Sequence, residues 1–315
     1  VGYATFTINL PSVSGTRAVV DAGGAEMNEG TSKEYAVKSA TALIFQKYGS
    51  DEGSCKFVES VDLPTAAADW TDDTTVGITT TKKLVAKLTN VDTKNQYYVL
   101  VLLNNNKKTG GVKVALPTVG QSYNEWNSQI LTPSVDDLAA DNDFYMANAP
   151  LKGTASPTTL VTINKENIYS SKEKAEAGTS AATVYVERGV AKMSVTDPAT
   201  KTVIDKATNN PTKSTVEFNN WALDITNKKT YAVHNIDGLS TDFPDIWTTP
   251  RFIGTNSRVY WGKDPNYNLG NLNTDRQTEF NFIDATSGIN KTFAESAYCL
   301  ENTFNLANMY QGQTT

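Results

Sequence analysis

The sequence predicts an all-β protein built as two β-sandwich domains in tandem, with one short helix in the first. Three observations predict it. Thr, Val, Tyr, Asn, Ser and Gly are plentiful, whereas Leu/Glu/Lys-rich runs at helical spacing are scarce. Apolar residues come in many short runs punctuated by Asn, Asp, Gly and Pro. Only the stretch between Gly120 and Ala140 carries a convincing helical pattern. The 315 residues suffice for two domains, each burying its own core. We place the first domain at 1–182 and the second at 183–315.

From Tyr3 to Leu10 the pattern alternates strictly. Ala4, Phe6, Ile8 and Leu10 share one face and Tyr3, Thr5, Thr7 and Asn9 the other, the period of a strand with one buried side. The alternation stops at Pro11, and the chain runs through Ser12-Val13-Ser14-Gly15-Thr16-Arg17-Ala18 into a small, polar loop. Residues 3–10 therefore read as a strand tethered by a flexible stretch, 11–32, that carries one basic residue. An ordinary first strand followed by an incidental arginine has the same pattern.

Tyr35 to Gln46 reads as the next strand. Tyr97 to Leu103 is a continuous apolar run, expected of a strand covered on both faces, and Asn104-Asn105-Asn106 ends it. Tyr123, Trp126 and Ile130 fall at helical spacing, and Pro133-Ser134 opens a second turn through Val135 and Leu138. Leu160 to Ile163 is a further strand, and the polar stretch from Tyr169 to Ala182 reads as the linker. Thr183 to Val195 is expected as one long strand bulged at Gly189. Val216 to Ile225, slipping phase at Asn219-Asn220, and Tyr231 to Ile236 are also read as strands. Residues 237–278 form a long irregular region, and Phe280 to Phe282 and Ala297 to Leu300 are the last strand-like pieces.

The chemistry-bearing residues are sparse. With 28 basic against 34 acidic residues and a formal charge of −6, the chain lacks the basic footprint of a nucleic-acid binder. No run approaches the roughly 18 apolar residues of a membrane span. The two cysteines, Cys55 and Cys299, have neither metal nor redox spacing. The single histidine, His234, removes most metal and nucleophile constellations and is expected to be structural. Asp136, Asp137, Asp141 and Asp143 lack the alternation and glycine of a calcium loop and read as a solvated helix end. Trp247, Trp261 and Tyr267 are suited to stacking on a sugar, and equally to pinning their own loop. No nucleophile elbow, phosphate loop or dinucleotide fingerprint is present. The expectation is a non-enzymatic binding or assembly module with no cofactor and no metal.

Ser14-Gly15-Thr16-Arg17-Ala18 resembles the junction at which an arginine-specific protease trims the precursors of the fimbrillin family of Bacteroidales, the subunits of donor-strand (type V) pili. Glu34 to Gln46 resembles the first strand of the mature subunit, and Gln96 to Leu102 followed by Asn104 a strand that enters an Asn-containing turn. Val184-Tyr185-Val186-Glu187-Arg188-Gly189-Val190-Ala191-Lys192 and Tyr298-Cys299-Leu300-Glu301-Asn302-Thr303 are similar to family segments at the domain junction and in the second domain.

The resemblance implies two transthyretin-like sandwiches and a lipoprotein precursor exported to the outer membrane. It also implies a first strand that cleavage removes and a neighbouring subunit's strand replaces. Carried over, Phe6, Ile8 and Leu10 are groove-filling side chains and Arg17–Ala18 is the processing bond. The implied partners are other fimbrial subunits, the protease and an adhesion ligand on a host or bacterial surface. Family members continue beyond the Leu-Glu-Asn segment, so the second sandwich is expected to be incomplete. An anchor or tip subunit, and a surface carbohydrate-binding module, are the alternative readings.

Overall fold

The computed structural model describes residues 2–11, 19–20, 26–27, 30–65, 71–72, 78–152, 156–198, 200–238, 252–253, 256–259, 262–269, 278–283 and 290–303. Ten strands build the main sheet. They are β1 (Gly2–Pro11), β2 (Ala40–Gln46), β3 (Lys56–Leu63), β4 (Thr71–Asp72) and β5 (Ile78–Leu88). They continue with β6 (Tyr97–Leu103), β7 (Met146–Asn148), β8 (Val161–Ile163), β9 (Ile168–Tyr169) and β10 (Ala182–Arg188). The strand order is β3-β2-β6-β7-β10-β1-β5-β4, with β8 also on β6 and β9 also on β1. Only β1 and β10 run parallel; the other pairs are antiparallel.

Two cores follow from the alternation. On β2, Ala40, Ala42 and Ile44 enter one core, and Leu43 and Phe45 the other. On β6, Val99, Val101 and Leu103 alternate with Leu100 and Leu102 in the same way. These residues are all buried, as the continuous apolar run requires. The first core is sandwiched between this part of the sheet and β1 with β5, which contribute Phe6, Ile8, Leu84 and Leu88. The two sheet ends nearly meet: Glu59 on β3 accepts the Thr89 N–H at 3.0 Å and the Asn90 N–H at 3.0 Å, just past β5.

The second core lies on the opposite face, under α2 (Tyr123–Asn127) and α3 (Val135–Leu138). A capping box starts α2: the Ser122 hydroxyl accepts the Glu125 N–H at 3.2 Å, and the Glu125 carboxylate accepts the Ser122 N–H at 2.9 Å. Phe45 meets Phe57 and Tyr123 edge-on, and the Trp126 indole N–H donates to the Ala115 carbonyl at 2.8 Å. The helix stops sooner than its spacing suggests. Asn127 turns inward to accept the Val233 N–H at 2.8 Å, and Ile130 is left exposed.

Two asparagines hold the sheet where strands fall short. Asn104 ends β6 with a φ of 55°, accepts the Lys38 N–H, and donates to the Ala36 and Phe144 carbonyls. Asn148 fills the gap between β7 and β8 along β6. It accepts the Val101 N–H at 2.8 Å and donates to the Val99 carbonyl at 3.1 Å.

Several elements differ from the sequence reading. Glu34 caps a one-turn helix, α1 (Ser32–Tyr35), so the strand expected from Tyr35 begins only at Ala40. The expected linker is instead β9 and a helix, α4 (Lys172–Ala177), packed over β1 with Ala175 fully buried. The long strand expected from Thr183 to Val195 is two strands in different sheets, β10 and β11 (Ala191–Ser194). At the break, Gly189 donates to the Tyr145 carbonyl at 3.0 Å, and only a glycine fits there: a Cβ would lie 2.9 Å from the Tyr145 ring. Strand β10, which begins at the expected domain boundary, therefore lies inside the main sheet.

Beyond it come small two-stranded sheets. The hairpin β12 (Lys201–Ile204) with β13 (Pro211–Val216) is one. The others are β14 (Thr226–Asn227) with β15 (Phe280–Asn281), and β11 with β16 (Ser296–Cys299). Trp221 to Ile225 and Tyr231 to Ile236 are not strands. Ile225 has a φ of 55°, and Ala232 and Val233 bond to the side chains of Tyr145 and Asn127 rather than to a ladder.

Asn148→Leu should cost about 1–3 kcal/mol for each ladder group left unbonded. Ile130→Ala should change stability by no more than about 0.5 kcal/mol. Urea unfolding of both variants checks the pair; equal losses would contradict this account of the sheet and of the helix end.

Candidate functional site: the first strand and its surroundings

Strand β1 is an interior strand. Along one edge it pairs with β5 from Gly2 opposite Leu88 to Pro11 opposite Ile78, with the register shifting at Pro11. Along the other it pairs with β10 from Phe6 opposite Ala182 to Asn9 opposite Tyr185, and with β9 at Tyr3 and Ala4. Ala4, Phe6 and Ile8 are fully buried, and Leu10 is 2% exposed. At about 1.5–3 kcal/mol for each large side chain covered, this face is the strand's main hold.

The other face is covered too, which alternation alone does not reveal. Thr5 and Asn9 are buried. The Thr5 hydroxyl donates to the Ala175 carbonyl at 2.6 Å, and Thr7 shares a 2.6 Å hydrogen bond with Ser180. Asn9 accepts from the Thr81 hydroxyl at 2.6 Å. The roof is the α4 segment, whose polarity reads as a linker; the one available signal is the small residue Ala175 on its inner side.

Taking β1 away would bare an apolar floor and unpair backbone groups on two neighbours. An extended segment with apolar residues at alternate positions matches that vacancy in both hydrogen bonds and side chains. Arg17 and Ala18 lie outside the described residues, as do Trp247 and Trp261. Tyr267 is buried, with the Lys263 ammonium 5.2 Å from its ring centre. Asp141 pairs with Lys33 at the surface, whereas Asp143 forms a buried pair with Lys113 at 3.2 Å. Cys55 and Cys299 are both free.

A second cluster lies where β10 leaves the sheet, along a cavity of about 480 Å³ lined by Tyr145, Glu187, Val233, His234, Lys263 and Glu301. His234 Nδ1 is 2.8 Å from Glu187 Oε1, and Nε2 is 3.3 Å from Glu301 Oε1, outside hydrogen-bonding geometry. Burial works against the charged ring, but the two carboxylates outweigh it and raise its pKa to about 10. An imidazolium at neutral pH has no lone pair with which to take a proton, so this histidine binds segments together.

Nearby, burial works against the Glu34 carboxylate charge. The Lys192 ammonium at 2.7 Å, the Tyr298 hydroxyl and the Thr31 N–H outweigh that and hold its pKa below the usual range. Glu34 and Glu187 carry no sequence signal beyond an acid beside or within an apolar strand.

His234 is the only histidine, so its ring signals can be followed by NMR without ambiguity. The ring should stay protonated through pH 8 and release its proton near pH 10. Its folded pKa is raised, so its stabilisation is complete below about pH 6.5 and fades as pH rises through about 10. A midpoint near 6.5 would contradict the paired geometry.

No family model matches the chain, and no curated protein does. Among solved structures it is similar to a fimbrial assembly protein from Parabacteroides distasonis ATCC 8503. The two are 13% identical with a TM-score of 0.44, and the likeness covers 95% of this chain and 77% of that one.

Proposed function

We propose that this protein is a structural subunit of a cell-surface fimbria, assembled by proteolytic removal of its first strand and insertion of a neighbouring subunit's strand. The observation that carries this reading is β1: a first strand held inside a sheet, with Phe6, Ile8 and Leu10 buried in the core. In this reading an arginine-specific protease cuts at Arg17–Ala18, and the freed strand leaves. The opened place has two backbone edges and an apolar floor, which a donor strand fills. Because donor and acceptor surfaces differ, the contacts run head to tail and build a filament. The precursor is a lipoprotein, the filament stands on the outer membrane, and its role is adhesion. The protein is not an enzyme in this reading and uses no cofactor.

Limited trypsin digestion should cut first at Arg17, and Arg17→Ala should abolish that cut, as read by mass spectrometry of the first fragment. A synthetic peptide of residues 2–11 should bind the trimmed protein and raise its Tm, and the same peptide with Ile8→Asp should not. Trimmed subunits mixed with donor-competent subunits should form filaments visible by electron microscopy. Filaments forming equally well from Arg17→Ala subunits would contradict assembly by strand replacement.

A further inference from the structure

We propose that β10 couples the filling of the β1 place to the docking of the chain's second half; its role in assembly rests on the strand-replacement reading above. The strand has two working ends. Residues 182–185 pair with Phe6–Asn9 of β1, and residues 186–188 pair with β7, from Asn148 to Met146. Val184 and Val186 are fully buried in the core that Phe6 and Ile8 complete. Without β1, the first end loses one edge of its ladder and the side chains packed beside Val184.

The second end gathers segments that follow the sheet. Glu187 holds His234 at 2.8 Å, and Glu301, on the other side of the ring, accepts the Gly262 N–H at 2.8 Å. The Asn227 amide donates to the Glu301 carbonyl at 2.9 Å. The fit is close: a Cβ on Gly262 would lie 2.1 Å from the His234 ring. Arg188 donates to the Glu34 carbonyl, and the Glu34 carboxylate in turn holds Lys192 on β11 and Tyr298 on β16.

A buried charge cluster tolerates little displacement, because an ion moved off its partner stays desolvated and unpaired. A shift of β10 at its β1 end is therefore resisted or transmitted at its Glu187 end. The two states are a filled place with the second half docked, and an empty place with that docking loosened. Such coupling is reciprocal, so loosening the cluster must loosen β1.

Amide hydrogen exchange on the full, untrimmed chain tests this in both directions. Glu301→Gln, at a partly exposed side chain, should speed exchange of the β1 amides by about fivefold or more relative to β2 and β3. Ile8→Ala should likewise speed exchange of the Val233 amide and of the β11 and β16 amides relative to β2 and β3. Equal acceleration of β2 and β3 would report a uniform loss of stability and overturn the proposal. So would β1 amides unmoved by Glu301→Gln while Val233 exchanges faster. Failure of the 2–11 peptide to bind trimmed protein would overturn strand replacement and leave this coupling, read on the untrimmed chain, to stand on its own result.

Discussion

The interior position of β1 is the constraint from which most of the structure follows. An edge strand needs one hydrogen-bonded neighbour; β1 has β5 on one side and β10 with β9 on the other. Its apolar side chains meet Val99, Val101 and Val184 in one core, and its polar side chains are matched by Ala175, Ser180 and Thr81. A buried backbone must be bonded throughout, so β1 is either fully accommodated or absent. That all-or-nothing character is what the proposed strand replacement would use.

The second core depends on the same sheet. Because β2 and β6 are apolar on both faces, a second layer had to cover them, and α2, α3, Leu160 and the Ala232–Val233 segment supply it. Several polar groups trapped between the layers find partners within the chain. Asn148 replaces a missing stretch of ladder, and the Tyr145 hydroxyl donates to the Ala232 carbonyl at 2.7 Å. The ionic clusters at Glu34 and His234 then tie the second half to the sheet through β10 and its continuation, on either side of the break at Gly189.

Much of the main sheet was legible in the sequence, because period-two alternation at Tyr3–Leu10 and the unbroken apolar run at Tyr97–Leu103 leave few other ways to hide those side chains. The helix at Tyr123 was legible from the helical spacing of Tyr123 and Trp126, whereas the bond from the Val233 N–H to Asn127 at its end is a tertiary contact that no local pattern encodes. The α4 roof was not legible: its outer face is charged, and its contact with β1 runs through the Ala175 carbonyl and the Ser180 hydroxyl, which carry no hydropathy signal. The break at Gly189 was not legible either, because the ring that demands a glycine there, Tyr145, lies 44 residues earlier in the chain, and a glycine in a strand is equally a bulge. Nor did pattern reveal the His234 cluster, since Glu187, His234, Gly262 and Glu301 come from four separated segments that only the fold brings together.

A reversible lock on β1 separates assembly by strand replacement from assembly that leaves the strand in place. Thr7 and Lys83 face each other across β1 and β5. Cysteines at both positions, at the spacing of an antiparallel pair, would form a disulfide that holds the strand in place even after the chain is cut. Filament formation by the trimmed, oxidised double variant is the measurement. None should form until a reductant opens the bond, after which assembly should proceed at the rate of the trimmed parent. Filaments growing equally well with the disulfide intact would contradict strand replacement.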